Sequence, residues 1–385
     1  MKVLLFANTA WYLYNFRRSL AASLRQEGYE VMLASPPDAY GEELIKLGFK
    51  WLPVPMLRRS VNPLRELRLL WWLKAMMQRE GIQLVHSFTL KCAIYGSIAA
   101  RMAGVPGRIN AVAGLGFTFT RNGPKARALR LVAGTMLRMA LGGQGVKLIL
   151  QNPDDMDMFR RMNLLPPEHM VLIPGSGVNC ERFKPQGQPP RVDGFKVLLP
   201  ARVLWDKGVG EFVEAARQVQ ANGGGVQFLI AGEPDPGNPT AVPLSEIRAW
   251  QSAGLVTWLG HVADMAALYQ QVHAVVLPSY REGLPKGLIE AGAAGLPLIA
   301  TDVPGCNQVV RHDENGLVVP VRDAAALAQA VLKLRDDPAL CETFGAAARA
   351  HVLQHFEEAS VNQRTRAVYG LLARAPGSHS QRLPS

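Results

Sequence analysis

The chain has 385 residues, 48% of them hydrophobic, which suits a soluble globular protein of two or three domains. It contains no run of about 18 apolar residues, so no membrane-spanning helix is predicted, and its first residues turn polar too early for a signal peptide. Its four cysteines lie far apart without a C-x-x-C motif, which indicates reduced thiols and disfavours a disulfide framework or a cysteine metal site.

The net charge of +11 is concentrated in the first half of the chain. Residues 1–176 hold 23 Lys/Arg against 11 Asp/Glu, whereas residues 177–385 hold 19 against 20. A strongly basic half predicts an anionic partner, such as a membrane surface, a lipid diphosphate or a nucleic acid, although a solvated basic face would give the same count.

Short apolar runs alternate with amphipathic stretches in the first half of the chain, which predicts a parallel sheet covered by helices. The predicted strands are Val3–Ala7, Glu30–Ala34, Leu84–His86, Arg108–Val112 and Val146–Leu150. The predicted helices are Leu13–Glu27, Leu64–Arg79, Cys92–Ala103, Lys125–Leu141 and Asp154–Met162.

The second half repeats this alternation and predicts a second parallel sheet. The predicted strands are Val197–Pro200, Gln227–Ala231, Val256–Leu259, Ala274–Leu277, Pro297–Ala300 and Leu317–Val319. The predicted helices are Gly210–Ala221, Leu244–Ser252, Met265–Gln271, Pro285–Ala294, Ala324–Arg335 and Ala339–Gln354.

A stretch rich in Pro and Gly, from Ile173 to Pro190, is predicted to link two domains. We expect an N-terminal domain over 1–176 and a C-terminal domain over 177–354. A last helix over 355–373 can pack back on the first domain, and the Ser-, Gln- and Arg-rich tail 376–385 is predicted to be disordered. Ligands of such sheets bind at the carboxyl ends of the strands, so the sequence predicts a site there.

Two glutamates, Glu282 and Glu290, follow the predicted strand Ala274–Leu277. Pro285 suits the first position of a helix, so one acid lies in the loop before that helix and the other in its second turn. The N–H groups of a helix start bind anions, phosphate above all, and Gly283 permits close backbone approach. Carboxylates beside a phosphate site suit hydroxyls, such as those of a sugar or ribose.

Both acids also have an ordinary surface explanation. Glu290 can pair with Lys286 four residues earlier, and Glu282 with its neighbour Arg281. The glycine, the helix start and the spacing of the acids occur together, and this combination favours a binding site.

A second motif follows the predicted strand Val197–Pro200, where the chain passes through Arg202 and Lys207 into a helix. A guanidinium and an ammonium that converge with a helix N-terminus can bind a diphosphate without a metal. Taken alone, these residues are equally well explained as two surface cations beside Asp206.

These motifs together resemble glycosyltransferase family 4, which has the GT-B fold. The residues that carry the resemblance are Arg202 with Lys207-Gly208, Glu282-Gly283 with Glu290, Thr301–Gly305 and Asn315–Val318. The segments that resemble the branch building polyprenyl-diphosphate-linked saccharides for bacterial surface glycans are Gln151–Asp155, Ile173–Val178 and Gly232–Pro239. The resemblance covers nearly the whole chain. It implies an α/β fold of two Rossmann-like, doubly wound parallel-sheet domains facing a cleft, and retaining transfer from a nucleotide sugar.

The resemblance also implies roles in the second domain. Arg202 and Lys207 would hold the donor diphosphate and stabilise the departing nucleotide, while Glu282 would contact hydroxyls of the donor sugar. Glu290 would bind the ribose hydroxyls. The remaining donor-binding residues that it implies are Gly283 and Leu284, near the sugar and phosphate, and Val262 and Glu233, near the base.

Neither a metal nor another cofactor is expected. Fixed cations stabilise the departing diphosphate, and a leaving phosphate oxygen can take the acceptor's proton, so we name no general base. Asp155-Met156-Asp157 has the spacing of a D-x-D metal motif, but Asn152 and Pro153 before it are favoured at a helix start, as are acids in the first turn.

The first domain departs from the family pattern. Many relatives carry a glycine pair in the first strand–helix loop, where this chain has the aromatic stretch Asn8–Arg17. Many also carry a histidine after the strand Arg108–Val112, where this chain has Ala113-Gly114-Leu115-Gly116. The backbone amide of Gly114 and the side chain of Asn110 are the candidates to replace that histidine's contact.

Two further candidates for the acceptor site lie in the first domain. His86 resembles the family's first-domain histidine position, although a satisfied, half-buried histidine is the ordinary alternative. Lys91, five residues later, is predicted to face an anionic acceptor.

Two segments of the basic half, Asn62–Arg79 and Lys125–Arg138, mix Leu, Trp and Met with Arg and Lys. Such helices suit an anionic membrane surface, although either alone could simply pack on the sheet. We therefore expect a cytoplasmic protein held peripherally on the inner face of the plasma membrane. An aromatic–basic RNA motif is absent from the sequence, and no nucleic-acid partner is expected.

The sequence thus predicts a retaining glycosyltransferase. It would move a sugar, an N-acetylhexosamine from a UDP donor, to a lipid-diphosphate-linked saccharide of a surface polysaccharide. A nucleotide-sugar epimerase or hydrolase of the same fold is the alternative, and a basic nucleic-acid-binding protein is the less favoured third hypothesis.

Overall fold

The computed structural model describes residues 1–58, 60, 62–112, 134–163, 165–187 and 194–373. The chain forms two compact units. One contains Met1–Ser176 together with the chain from Val361 onward, and the other contains Gly177–Ser360. Each unit is organised around its own parallel sheet.

The strands of the first unit are β1 Lys2–Phe6, β2 Glu30–Ser35, β3 Lys50–Pro53, β4 Leu84–Phe88, β5 Gly107–Ala111, β6 Val146–Leu150 and β7 Met170–Leu172. In the described part of this unit they form one sheet in the order β3-β2-β1-β4-β5-β6-β7, with parallel pairings throughout. β4 and β5 are buried at every position because helices cover both faces of the sheet.

The helices of this unit begin with α1 Ala10–Phe16, α2 Arg18–Gln26, α3 Tyr40–Lys46, α4 Pro63–Glu80, α5 Leu90–Ala103 and α6 Pro153–Met162. α6 starts as its sequence predicts: the side chain of Asn152 accepts a hydrogen bond from the Asp155 amide at 2.7 Å, and Pro153 is the first helical residue. The Asp155-Met156-Asp157 sequence is therefore part of a helix start.

The strands of the second unit are β8 Phe195–Pro200, β9 Val226–Ala231, β10 Thr257–Gly260, β11 Ala274–Leu277, β12 Leu298–Thr301 and β13 Gly316–Val319. They form a second parallel sheet in the order β10-β9-β8-β11-β12-β13. The helices that follow α6 are α7 Val209–Ala221, α8 Leu244–Ser252, α9 Met265–Tyr269, α10 Lys286–Ala293, α11 Ala324–Asp336, α12 Pro338–His355 and α13 Glu358–Ala373. The predicted fold class, two Rossmann-like doubly wound parallel-sheet domains, is confirmed.

Several predicted elements differ from the structure. The single helix predicted over Leu13–Glu27 is two helices, because Arg17 leaves the helical region at φ −131° and its side chain turns inward. Pro285 is the cap residue before α10 and not its first residue. The elements β3, β7 and α3, each at most seven residues long, were not predicted from the sequence. Residues 134–141 of the predicted helix Lys125–Leu141 are helical, whereas its residues 125–133 and the tail 376–385 lie outside the described residues.

Candidate active site

The second-unit candidates lie on loops that leave the carboxyl edge of its sheet. β8 and β11 are neighbours and run parallel, so the loops that follow Pro200 and Leu277 emerge side by side. Gly208 lets the two loops approach: its φ is +71°, and a Cβ atom there would lie 2.1 Å from the Pro278 carbonyl oxygen.

This approach brings Lys207 and Glu282 together. The Lys207 ammonium forms an ion pair with Glu282 Oε1, and both side chains are largely buried. Ser279 Oγ donates a second hydrogen bond to the same carboxylate oxygen, at 2.7 Å. Thr301, at the end of β12, donates in turn to the Ser279 carbonyl oxygen. Glu282 is therefore held in one position by its neighbours.

Arg202 lies on the same edge of the sheet but has another partner. Its Nη1 atom donates to Asp235 Oδ2 at 2.7 Å, and its side chain is 53% exposed. Asp235 belongs to the loop after β9, the strand on the other side of β8. Each of the two predicted diphosphate-binding cations is thus paired with a carboxylate of its own unit.

Glu290 lies in the second turn of α10, as predicted. Burial raises the pKa of its carboxyl group, while the charges of Lys286 and Arg182 and the nearby Tyr269 hydroxyl act in the opposite direction. The distance from Lys286 Nζ to Glu290 Oε1 is 3.8 Å, so the ordinary ion pair within the helix is present but long. The hydroxyl of Tyr269 donates to the Gly287 carbonyl oxygen at 3.0 Å, which anchors the start of α10.

The loop between Glu282 and α10 packs closely against the loop after β12. The Glu282 amide donates to the Pro304 carbonyl oxygen at 3.2 Å. A Cβ atom at Gly305 would lie 2.7 Å from the carbonyl oxygens of Glu282 and Gly283, so only a glycine fits there. Leu284 packs on the apolar core of the unit and fixes the backbone before the helix.

Glu233 and Val262 lie on the adjacent loops after β9 and β10. Glu233 Oε1 accepts a hydrogen bond from the His261 amide at 3.0 Å. The Gly232 amide donates to the Gly260 carbonyl oxygen at 2.8 Å, which joins the two loops. Val262, next to His261, packs on the same core as Leu284. The structure therefore places both predicted base-binding residues together.

The acceptor candidates belong to the first unit and are engaged internally. The Nδ1 atom of His86 lies 2.7 Å from the Tyr369 hydroxyl, and Asn110 accepts a hydrogen bond from Ser97 at 2.9 Å; both His86 and Asn110 are buried. Their contact with an acceptor stays a prediction.

Lys91 is held by three acceptors. Its ammonium group donates to Glu66 Oε1 at 2.9 Å and to the carbonyl oxygens of Leu57 and Ser60 at 2.8 Å each. Gly114 lies outside the described residues.

Two residues of the site were not predicted from the sequence: Asp235, which contacts Arg202, and Ser279, which contacts Glu282. Ser279 could have been found from its position, since it lies two residues after β11 and three before Glu282. Asp235 carried no such signal, because only the neighbouring positions of β8 and β9 bring its loop to Arg202.

Within the described ranges, no group of three or more His, Cys, Asp or Glu side chains is arranged to hold a metal ion. No described helix combines the length and apolarity needed to cross a membrane.

Two family models match this chain. Residues 2–151 match the model described as glycosyl transferase 4-like, and residues 194–337 match the model described as glycosyl transferases group 1. The chain belongs to this glycosyltransferase family. The resemblance predicted from its motifs is confirmed.

Among curated glycosyltransferases, the chain is 27% identical over 368 residues to the N,N'-diacetylbacillosaminyl-diphospho-undecaprenol alpha-1,3-N-acetylgalactosaminyltransferase of Campylobacter jejuni, covering 93% of this chain and 95% of that one. It is 27% identical over 298 residues to the UDP-Gal:alpha-D-GlcNAc-diphosphoundecaprenol alpha-1,3-galactosyltransferase of Escherichia coli, covering 74% and 75% of the two chains.

Solved structures show the same fold. Sucrose-phosphate synthase from Thermosynechococcus elongatus matches with a TM-score of 0.81 at 21% identity, over 97% of this chain and all of that one. Anabaena HepE in complex with UDP matches with a TM-score of 0.75 at 18% identity, over 96% and 100% of the two chains. WaaG, a glycosyltransferase of lipopolysaccharide biosynthesis, matches with a TM-score of 0.73 at 16% identity, over 97% and 100% of the two chains.

Proposed function

We propose that this glycosyltransferase moves an N-acetylhexosamine from a UDP-linked donor to a polyprenyl-diphosphate-linked saccharide, with retention of anomeric configuration, during surface polysaccharide biosynthesis. The names of the Campylobacter jejuni and Escherichia coli relatives support a lipid-diphosphate acceptor, and the first of them supports the transferred sugar. The complex of HepE with UDP supports the class of donor.

The observation that carries the proposal is the convergence of Lys207 and Glu282 beside the start of α10, with Glu290 in the next turn of that helix. When a nucleoside diphosphate departs, negative charge builds on its β-phosphate and positive charge on the sugar. A cation and a helix start at the leaving oxygen stabilise that transition state more than the ground state.

The two ion pairs of the site support a binding step in which phosphate replaces a carboxylate at each cation. A diphosphate that takes the Lys207 ammonium displaces Glu282, and the released carboxylate is then available to the hydroxyls of the donor sugar. Arg202 exchanges Asp235 for phosphate in the same way. Donor binding is thus an exchange of carboxylate for phosphate at both cations.

A lipid-linked acceptor lies in a membrane, so the enzyme needs a surface that contacts the bilayer. The outer face of α4 is suited to this contact. Its inner face packs in the core, yet Leu64, Leu67 and Trp71 on the outer face are 70%, 52% and 54% exposed. Lys74 Nζ lies 4.9 Å from the Trp71 ring centroid and extends this stripe. We take these four residues as the α4 stripe. Its apolar side chains among cations suit an anionic bilayer, which supports a peripheral location on the inner membrane face.

The direct test is sugar transfer by the purified protein. UDP-GalNAc, UDP-GlcNAc and UDP-Gal are offered with a polyprenyl-diphosphate-linked saccharide, with and without EDTA, and the anomeric configuration of the product is read by NMR. We expect transfer with retention that EDTA leaves unchanged. Release of free sugar or epimerised donor without acceptor would favour the epimerase or hydrolase instead.

Two variants test the site. Lys207→Ala and Glu290→Ala are expected to lower transfer at least about 100-fold, since each removes a charged contact to the donor. Lys333→Ala removes an exposed ammonium paired with Asp313 in the same unit and should leave transfer unchanged. Wild-type transfer by both site variants would overturn the assignment.

A further inference from the structure

The first unit contains a buried guanidinium, Arg17, without a carboxylate partner. Arg17 is 5% exposed, and no ion pair of the described residues includes it. Its Nη2 atom donates to the Tyr12 hydroxyl at 3.0 Å, and its Nη1 atom lies 3.5 Å from the Gly175 carbonyl oxygen. Its Nε atom is buried and has no hydrogen-bonding partner.

A second buried arginine of the same unit shows what is missing at Arg17. Arg108 is equally buried, but its guanidinium donates to the carbonyl oxygens of Ala140, Gly142 and Gln144 at 2.9–3.1 Å. Buried charges are ordinarily retained only where an opposite charge or a complete set of acceptors compensates them. Arg108 has three carbonyl acceptors within 3.1 Å, whereas Arg17 has one acceptor at 3.0 Å, one at 3.5 Å and an unpaired Nε.

Arg17 lies beside the carboxyl end of β4. Its guanidinium carbon is 4.4 Å from the ring centroid of Phe88, the last residue of that strand, and 5.5 Å from the Tyr12 centroid. The next residue, Thr89, precedes α5, a helix of 14 residues whose N-terminus carries the positive end of the helix dipole. The guanidinium and the start of α5 therefore flank the same strand end.

Thr89 has a backbone conformation that side chains rarely adopt. Its φ is +74° and its ψ is +156°, a region used almost only by glycine and found mainly at functional sites. Its hydroxyl makes no capping hydrogen bond to α5 and instead lies buried beside the Cys92 thiol. Because the Thr89 side chain does not cap α5, the backbone N–H groups of the first turn are available to another acceptor.

We infer that Arg17, together with Thr89 and the first turn of α5, binds a phosphate group. Five N–H donors in a planar fork match the oxygens of a phosphate, and a helix N-terminus adds further donors. Given the proposed function, the phosphate belongs to the diphosphate of the lipid-linked acceptor. This residue thus adds an acceptor-binding cation to a unit in which Lys91 is already engaged by Glu66.

The competing explanation is that Arg17 is a structural cation held by the rings of Phe88 and Tyr12. The two explanations predict opposite effects of Arg17→Met. If the cation awaits a phosphate, the neutral variant has a melting temperature equal to or above that of the wild type and binds phosphate ligands more weakly. If the cation is structural, the melting temperature falls and ligand binding is unchanged.

The experiment measures melting temperatures and Kd values for farnesyl diphosphate, inorganic pyrophosphate and UDP, with farnesol as the control lacking phosphate. For Arg17→Met we expect Kd for farnesyl diphosphate and pyrophosphate at least 10-fold higher, and Kd for UDP unchanged. Arg17→Lys keeps the charge without the fork and should weaken both ligands by a smaller factor. Arg108→Met should lower the melting temperature and leave the Kd for pyrophosphate unchanged.

A lower melting temperature for Arg17→Met, or farnesyl diphosphate binding equal to that of the wild type, would overturn the inference. Weaker pyrophosphate binding with unchanged farnesyl diphosphate binding would assign the site to free phosphate and overturn its link to the acceptor. Failure of the wild type to bind UDP would instead count against the proposed function, because Lys207 and Arg202 belong to the other unit.

Discussion

At the scale of single residues, the cations that we propose to bind the donor diphosphate are each paired with a carboxylate, which the diphosphate would have to replace. Lys207 and Glu282 neutralise each other where the loops after β8 and β11 meet. Arg202 and Asp235 do so where the loops after β8 and β9 meet. These pairs hold the side chains in place, but they also compete with a diphosphate for the cations. Removing one carboxylate should therefore separate binding of the nucleotide from transfer of the sugar.

Glu282→Gln is expected to tighten UDP binding while lowering transfer. The amide no longer competes for the Lys207 ammonium, and a partly buried pair of this kind contributes about 1 kcal/mol, which corresponds to a Kd about 5-fold lower. Transfer falls because the sugar hydroxyls lose a charged acceptor. Isothermal titration with UDP measures the first effect. Glu214→Gln, which breaks an exposed pair with Arg217 in the same unit, is the matched control. Weaker UDP binding by Glu282→Gln would contradict the exchange.

The stability of the protein is expected to depend on pH through His86. Burial, and then the nearby charge of Arg17, lower the pKa of this imidazole well below its usual 6.5. The unfolded chain therefore binds a proton below pH 6.5 that the native protein does not. The free energy of unfolding consequently falls as the pH drops below 6.5, by up to about 1.4 kcal/mol per pH unit.

The measurement is urea unfolding of the wild type and His86→Gln from pH 5 to 8. We expect the difference between their unfolding free energies to be constant above about pH 7.5 and to move in favour of the variant below 6.5. Parallel curves over the whole range would show that His86 titrates normally in the native protein.

At the scale of elements, the loops of the candidate active site depend on positions where two backbone segments are in close contact. Gly208 lies between the loop that carries Lys207 and the strand end at Pro278, at a φ of +71°. Gly287 likewise lies against Pro200, where a Cβ atom would be 2.9 Å from the carbonyl oxygen. Side chains are excluded here because the loops after β8 and β11 emerge side by side from adjacent parallel strands.

Gly208→Ala is expected to lower the free energy of unfolding by roughly 2–4 kcal/mol, because strain at positive φ adds to a steric overlap with the Pro278 carbonyl. Gly81→Ala, at a φ of +64° with nothing within 4 Å of the added Cβ, is the control for strain alone and should cost about 1 kcal/mol. Chemical denaturation measures both. Equal losses would show that the loops can separate without cost.

At the scale of the whole molecule, charge is divided between the two halves of the chain. The excess of cations lies in residues 1–176, and the neutral half carries the donor-site candidates. This division fits a protein whose first unit meets an anionic surface while its second unit handles a soluble nucleotide. The α4 stripe is the described surface best suited to that contact.

Binding to vesicles tests this division. We expect retention on phosphatidylglycerol-rich vesicles that weakens between 50 and 500 mM NaCl, and no comparable retention on duplex DNA. The triple variant Leu64→Ser/Leu67→Ser/Trp71→Ser should bind vesicles at least about 10-fold more weakly, because it removes apolar area that enters the bilayer. Ile45→Ser/Leu47→Ser removes two exposed apolar side chains at the C-terminal end of α3 and should leave vesicle binding unchanged. Unchanged vesicle binding by the triple variant would show that the α4 stripe is not the surface that contacts the membrane.

Local chemistry made much of this protein predictable from its sequence. Buried strands such as Ala274–Leu277 are short apolar runs, and Asn152-Pro153 marks a helix start in any context. The motif around Glu282 and Glu290 could be identified from the sequence because a strand, a glycine and a helix start follow each other along the chain. Short elements such as β3 were missed because too few residues carry their periodic pattern.

The sequence by itself determined the alternation of strands and helices, the family, and the chemical types of the donor-site candidates, because these depend on residues close together along the chain. Only the tertiary structure decided which charges meet. It joined Lys207 to Glu282, gave Arg202 to Asp235, and left Arg17 buried without a carboxylate. The order of strands in a sheet sets such pairings, and that order is determined by packing between segments far apart in the chain.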